Sequence, residues 1–130
     1  KNIMSVKYKI IEKGQPGVAG GGTKKFYASS VFMGEKNLEQ LTKSIEKIST
    51  VSGADIRAVL YALVDVITED LSNSQIVRLG DLGSLRVNVR SDGKTTDKEV
   101  NAAAIRNTKL VFTPGKKLKE MQQTLKFEKA

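Results

Sequence analysis

Apolar and polar positions alternate at the start of the chain and then change period. In residues 5–11, Val6, Tyr8 and Ile10 alternate with Lys7 and Lys9, the pattern of a half-buried strand. Residues 14–23 carry Pro16, Gly17 and the run Gly20-Gly21-Gly22, which reads as a flexible loop. Residues 24–33 predict a second strand, with Phe26 and Ala28 on one face and Tyr27, Ser29 and Val31 on the other. The period then shifts to that of a helix. Leu38, Leu41, Ile45 and Ile48 recur at spacings of three and four, so a first helix is expected over 38–49, with Asn37 as N-cap and Gln40 at the capping-box position. Ser52 is placed to cap a second helix over 53–72, with Asp55 favourable to its dipole. The apolar residues of that helix, from Ile56 to Leu71, sweep an arc of about 160°, wider than the ~100° stripe of a one-sided surface helix. Two faces of it therefore need cover. The sheet of the same chain and a second chain serve equally well at this stage.

Past Asn73 and Ser74, residues 75–80 and 84–90 predict two strands around the turn Gly80-Asp81-Leu82-Gly83. In the second of these, Leu85, Val87 and Val89 point one way, and Arg86, Asn88 and Arg90 the other, a basic face suited to phosphates. Residues 91–108 are polar and without strong periodicity. Leu110 to Phe112 resumes a strand, Pro114-Gly115 turns the chain, and a last helix begins near Lys116. Its first turn, Lys116, Lys117 and Lys119, is cationic, which the helix dipole disfavours unless a polyanion lies nearby.

Charge sharpens this picture. The 130-residue chain carries a net +8, and the charge is unevenly placed. Residues 1–30 hold six lysines against one glutamate; residues 38–81 hold four basic and seven acidic side chains; residues 86–119 hold nine basic and three acidic. Like charge gathered at two ends of a chain points to a polyanion. Histidine and cysteine are absent, which removes the commonest general base, the commonest metal ligands and any disulfide. Glu46 and Asp65 look like solvated helix positions, and Asp81 like a turn former. No enzyme, cofactor, metal site or small-molecule substrate is expected. No apolar run approaches the ~18 residues that span a bilayer, and the first residues are not followed by the apolar stretch of a signal peptide, so a cytoplasmic protein without membrane contact is expected.

The order of these elements resembles the bacterial histone-like HU/IHF proteins. The most specific match is Phe112-Thr113-Pro114-Gly115-Lys116-Lys117-Leu118-Lys119. Leu79-Gly80-Asp81-Leu82-Gly83-Ser84-Leu85 is similar to the family's Gly-Phe-Gly-x-Phe turn with leucines in place of both phenylalanines, and Thr50-Val51-Ser52-Gly53-Ala54-Asp55 matches the start of its second helix. The match covers about residues 37–126. Residues 1–36 resemble the N-terminal extension of a divergent, Bacteroidetes-type HU-like group.

The resemblance implies an α+β fold: two helices, an antiparallel sheet with an extended arm and a C-terminal helix, forming an intertwined dimer. An N-terminal strand pair precedes these elements. The alternation of Val6, Tyr8 and Ile10 with lysines predicts that this strand pair docks on or beside the sheet, burying its apolar face and leaving Lys7 and Lys9 in solvent; the rival reading, favoured by the glycine-rich loop, is a disordered basic tail. The resemblance divides the chain into an extension (1–36) and a DNA-binding domain (37–130). It implies a nucleoid-associated, architectural protein on double-stranded DNA, binding with little sequence preference through a saddle and arms that condense or bend the duplex. It implies a homodimer, with a heterodimer as the alternative. On this sequence the DNA-binding positions are Arg86, Asn88, Arg90, Lys94, Lys98, Arg106, Lys109, Lys116, Lys117 and Lys119. One departure stands out. Family arms carry a proline near the tip, whereas residues 91–108 hold none and include Asp92, Asp97 and Glu99. Two rival readings follow: a structural or protein-interaction module with weak or lost DNA binding, and an RNA-binding protein, although the interleaved aromatics of a single-strand platform are missing.

Overall fold

The structure, a computed structural model, describes residues 4–130; Lys1 to Ile3, the start of the expected extension, lie outside the described residues. In chain order the elements are β1 (Val6–Lys13), β2 (Lys25–Val31), α1 (Leu38–Ile48), α2 (Gly53–Ser72), β3 (Val77–Arg78), β4 (Gly83–Ser91), β5 (Ile105–Pro114), α3 (Lys116–Gln123) and β6 (Phe127–Lys129). They form two compact units. One is Leu38–Gln122; the other joins the described residues up to Asn37 with Gln123–Ala130.

The smaller unit is a three-stranded sheet in the order β2-β1-β6. The expected strand pair is present, antiparallel, running from Lys7 opposite Val31 to Lys13 opposite Lys25. The short C-terminal strand β6, which no periodicity announced, adds in parallel, with Val6 beside Phe127 and Tyr8 beside Lys129. The Val6 N–H donates to the Lys126 carbonyl at 2.8 Å, and Lys7 forms an ion pair with Glu128. Two expectations change here. Lys7 is paired rather than free in solvent, and Ile10 stays 52% exposed instead of buried. The glycine-rich segment is also more than an open linker. It makes one tight 3₁₀ turn at Ala19–Gly21, and the Gln15 N–H closes it onto the Gly21 carbonyl at 2.6 Å.

The larger unit begins with the two helices. The α2 bounds are those the capping signals predict: Ser52 is the N-cap, and its Oγ accepts the Asp55 N–H at 3.3 Å. A second acceptor arrives from α1. Glu46 Oε2 accepts the Gly53 N–H at 2.9 Å, so Glu46, exposed as its sequence context suggests, also caps the neighbouring helix. This satisfies another of the free N–H groups that every helix start leaves. Thr42 is fully buried, its hydroxyl donating to the Leu38 carbonyl at 2.8 Å.

The sheet of this unit has the order β3-β4-β5. The β4–β5 ladder is antiparallel from Gly83 opposite Pro114 to Ser91 opposite Ile105, with an irregularity at Arg90/Ser91. Thus β5 begins five residues before the Leu110 strand that periodicity shows. Gly83 is needed where it stands: its φ is +145°, and a Cβ there would meet the Thr113 carbonyl oxygen at 2.4 Å. Between the strands, the arm tip is not extended ribbon. It folds into two short 3₁₀ turns, Asp97–Glu99 and Ala102–Ala104. The Asp92 N–H closes its base on the Ala104 carbonyl at 2.9 Å.

Apolar burial is sparse. Among the described residues, Ile56 and Ala104 are the buried hydrophobic side chains. On α2, Leu60, Ile67 and Leu71 are half-buried, and with Ile56 they lie on one half of the apolar arc. Its flank is open: Val59 is 63% exposed and Val66 54%. The apolar face of the ribbon is open as well, with Val89 63% and Leu110 60% exposed. Among the described residues, no helix is long and apolar enough to cross a membrane.

Candidate nucleic-acid interface

Strand alternation sorts the β4–β5 ribbon into two faces. Leu85, Val87 and Val89 share one face with Phe112, Leu110 and Thr108, their partners in the ladder. On the other face, Ser84 lies opposite Thr113, Arg86 opposite Val111, Asn88 opposite Lys109 and Arg90 opposite Asn107. Four of the expected positions, Arg86, Asn88, Arg90 and Lys109, are therefore brought together. Successive side chains on this face are about 7 Å apart along each strand. Among the described residues of this face there is no carboxylate to oppose an anion.

The register adds a residue that sequence reasoning passed over. Arg78, on the two-residue strand β3, lies opposite Ser84 and so extends the same cationic face by one row. The alternation Val77-Arg78 was a signal for it, but too short to be read as a face. Arg78 also lines a shallow pocket with Gly80, Ser84, Thr113 and Lys119, which joins the α3 lysine to the sheet. Pro114 ends β5, and the Gly115 N–H donates to the Leu82 carbonyl at 3.0 Å. This tight turn starts α3 with Lys116 and Lys117, both exposed, in its first turn.

The remaining expected positions lie elsewhere. Lys94 and Lys98 are on the arm tip, exposed. Arg106 is the residue that the register irregularity at Arg90/Ser91 leaves without a ladder partner, and its Nε is 3.3 Å from Asp92 Oδ1. The acidic residues of the tip are likewise engaged internally: the hydroxyls of Thr95 and Thr96 donate to Glu99 Oε1 at 3.2 and 3.0 Å. Asn101 Oδ1 accepts the Ala103 N–H at 3.0 Å and caps the second turn.

The sequence of residues 4–129 matches the family described as HU-HIG, an HU domain fused to a wHTH, Ig or glycine-rich motif. The chain belongs to the HU-HIG family. The HU-like resemblance, drawn first from the Phe-x-Pro-Gly-Lys stretch and the glycine turn, thus extends over nearly the whole chain, the N-terminal sheet included. No protein of curated function matches it. Among solved structures, the chain is similar to a protein of Bacteroides vulgatus ATCC 8482, provisionally described as a bacterial DNA-binding protein; the two share 18% identity and a TM-score of 0.67. The match covers 98% of this chain and 49% of that one, so the chain spans about half the length of its neighbour. At this identity the likeness speaks to fold, and it supports the mixed α+β arrangement of an HU-HIG protein.

Proposed function

We propose that this HU-HIG chain binds double-stranded DNA with little sequence preference, as a dimer, and acts architecturally in the nucleoid. The observation that carries the reading is the acid-free cationic face of the sheet, on which Arg78, Arg86, Asn88, Arg90 and Lys109 lie in register. Arginines at strand spacing on a rigid sheet neutralise phosphates and fix orientation without reading bases. Lys119, at the pocket shared with Arg78, and the exposed Lys116 and Lys117 extend the cationic surface to α3. The description of the Bacteroides neighbour as DNA-binding agrees with this reading. The open apolar flank of α2 and the open apolar side of the ribbon support a second copy as their cover.

The test is a salt titration against duplex, single strand and RNA. A protein making on the order of 6–10 phosphate contacts loses ~10³-fold or more in duplex affinity between about 50 and 200 mM salt, and the loss is the same across unrelated sequences. Absence of duplex binding at low micromolar protein and about 50 mM salt defeats the proposal.

A further inference from the structure

The smaller sheet carries a second cationic face that the interface above does not use. Along β1, Lys7, Lys9, Ile11 and Lys13 alternate onto one side, and the register sets Lys13 directly opposite Lys25 of β2. Like charges directly opposed on antiparallel strands repel, with Cβ atoms only about 5 Å apart. The carboxylates of the sheet do not relieve this. Glu128 is taken by Lys7, and Glu12, opposite Phe26, alternates onto the other face. Among the described residues, Lys9, Lys13 and Lys25 have no ion-pair partner, and all three are exposed. Among the described residues, the Tyr27 ring lies beneath the Lys13 ammonium, its centroid 4.9 Å away; this favours one position of the amine without neutralising it.

An unneutralised like-charge pair on a regular ladder is relieved by an anion set between the two amines. Its dimensions favour an array of anions over a single ion. Lys9 and Lys13 are four residues apart on the strand, about 13 Å at 3.3 Å per residue, so one phosphate-sized ion reaches only one end of the row. A lipid surface fits less well, because Ile11, Tyr27 and Val31 on this face are half-buried and offer no protruding apolar anchor. Stacked single-stranded bases fit less well too, since the protruding Phe26 and Phe127, at 71% and 68% exposure, stand on the opposite face.

We infer that Lys9, Lys13 and Lys25 form a second phosphate-binding surface for duplex DNA, carried by the N-terminal sheet and additional to the face of the larger unit. This inference rests on the duplex-binding reading above. The experiment uses the full chain and a labelled duplex of about 30 base pairs, with affinity read by fluorescence anisotropy between about 50 and 200 mM salt. Wild type is compared with a K9Q/K13Q/K25Q variant and with a K9R/K13R/K25R variant. Each phosphate that the protein no longer neutralises flattens the slope of log K against log salt by about 0.9. The glutamine variant is expected to lose about 2 or more from that slope and to bind at least tenfold more weakly at the lowest salt, with a Tm no lower than wild type because the Lys13/Lys25 repulsion is gone. The arginine variant is expected to keep the wild-type slope. If wild type binds duplex and the glutamine variant binds with the same slope and affinity, the inference is overturned and the larger unit's interface stands. If the arginine variant also loses the slope, the effect comes from folding and the inference is likewise overturned. Loss of binding to RNA or to phosphatidylserine vesicles with duplex binding unchanged overturns it as well. Failure of wild type to bind duplex at all removes both readings together.

Discussion

The sparse burial within one chain makes a quantitative demand on Val59. In the single chain Val59 is 63% exposed, on the flank of the apolar arc of α2. Replacing it with alanine removes two methyl-sized groups, worth about 1.6 kcal/mol when wholly buried at ~0.8 kcal/mol per CH₂. With about a third of the side chain buried, as in the isolated chain, the loss is about 0.6 kcal/mol. Against this, alanine gains up to about 0.7 kcal/mol in helix propensity over valine. For a stable monomer, V59A is therefore neutral or slightly stabilising. If a second copy covers the flank, the full transfer term returns together with a cavity term, and the net loss is about 1.5–2 kcal/mol per subunit. Both subunits lose it, so the dimer loses about 3–4 kcal/mol, two to three orders of magnitude in its dissociation constant. Urea denaturation at about 1 and about 100 μM protein separates the cases, since an obligate dimer has a midpoint that rises with concentration. A concentration-independent midpoint for wild type, with V59A within about 0.5 kcal/mol of it, refutes the second-copy reading.

Three further outcomes are expected. S52A removes the Oγ that accepts the Asp55 N–H, and E46A the carboxylate that accepts the Gly53 N–H; each costs about 0.5–2 kcal/mol by thermal melting, and the double variant adds less than the sum if α2 frays once either cap is gone. G83A places a Cβ at 2.4 Å from the Thr113 carbonyl oxygen at φ +145°, so it should cost more than about 2 kcal/mol; a Tm within about 2–3 °C of wild type would contradict the turn geometry. R90A should weaken duplex binding more than V100A does, and energy transfer between dyes at the two ends of a short duplex should report a weak bend that V100A leaves unchanged.

How legible this architecture was depended on how local its determinants are. The α2 helix was readable end to end, because Ser52 and Asp55 mark its start and a 20-residue apolar arc carries it. The cationic face of β4 was readable because Arg86, Asn88 and Arg90 alternate with Leu85, Val87 and Val89 in one unbroken strand. Arg78 escaped notice, since a two-residue strand has no period and only its pairing with Ser84 assigns it a face. Strand β6 escaped for a related reason: Phe127–Lys129 is three residues long and finds its partner at Val6–Tyr8, at the far end of the chain. The sequence places Glu46 in solvent, where it is, but not its capping role, because its partner, the Gly53 N–H, lies across an interhelical turn. The arm tip has no periodicity to read. Short-range bonds from Thr95, Thr96 and Asn101 hold it, and these favour turns over strands.

If the chain binds duplex as proposed, the chemistry of the arm and of the sheet face sets how they would divide the work. A side chain that wedges between base steps must be apolar and rigid to offset the few kcal/mol of unstacking. The tip offers Val100, 50% exposed, and Ile105, 41% exposed, with no proline between residues 91 and 108. Its one arginine is held by Asp92 at 3.3 Å, so that cation meets a phosphate only by first leaving its carboxylate. Exposed ion pairs of this kind are worth at most about 1 kcal/mol, so the exchange is feasible but brings little net gain. On the sheet, by contrast, Arg86 and Arg90 have no ion-pair partner among the described residues, and the ladder from Gly83 to Ser91 holds their spacing without a ligand. On the proposed reading, binding energy would therefore concentrate where charge is both unopposed and already ordered, and a firm grip with modest bending is the expected outcome.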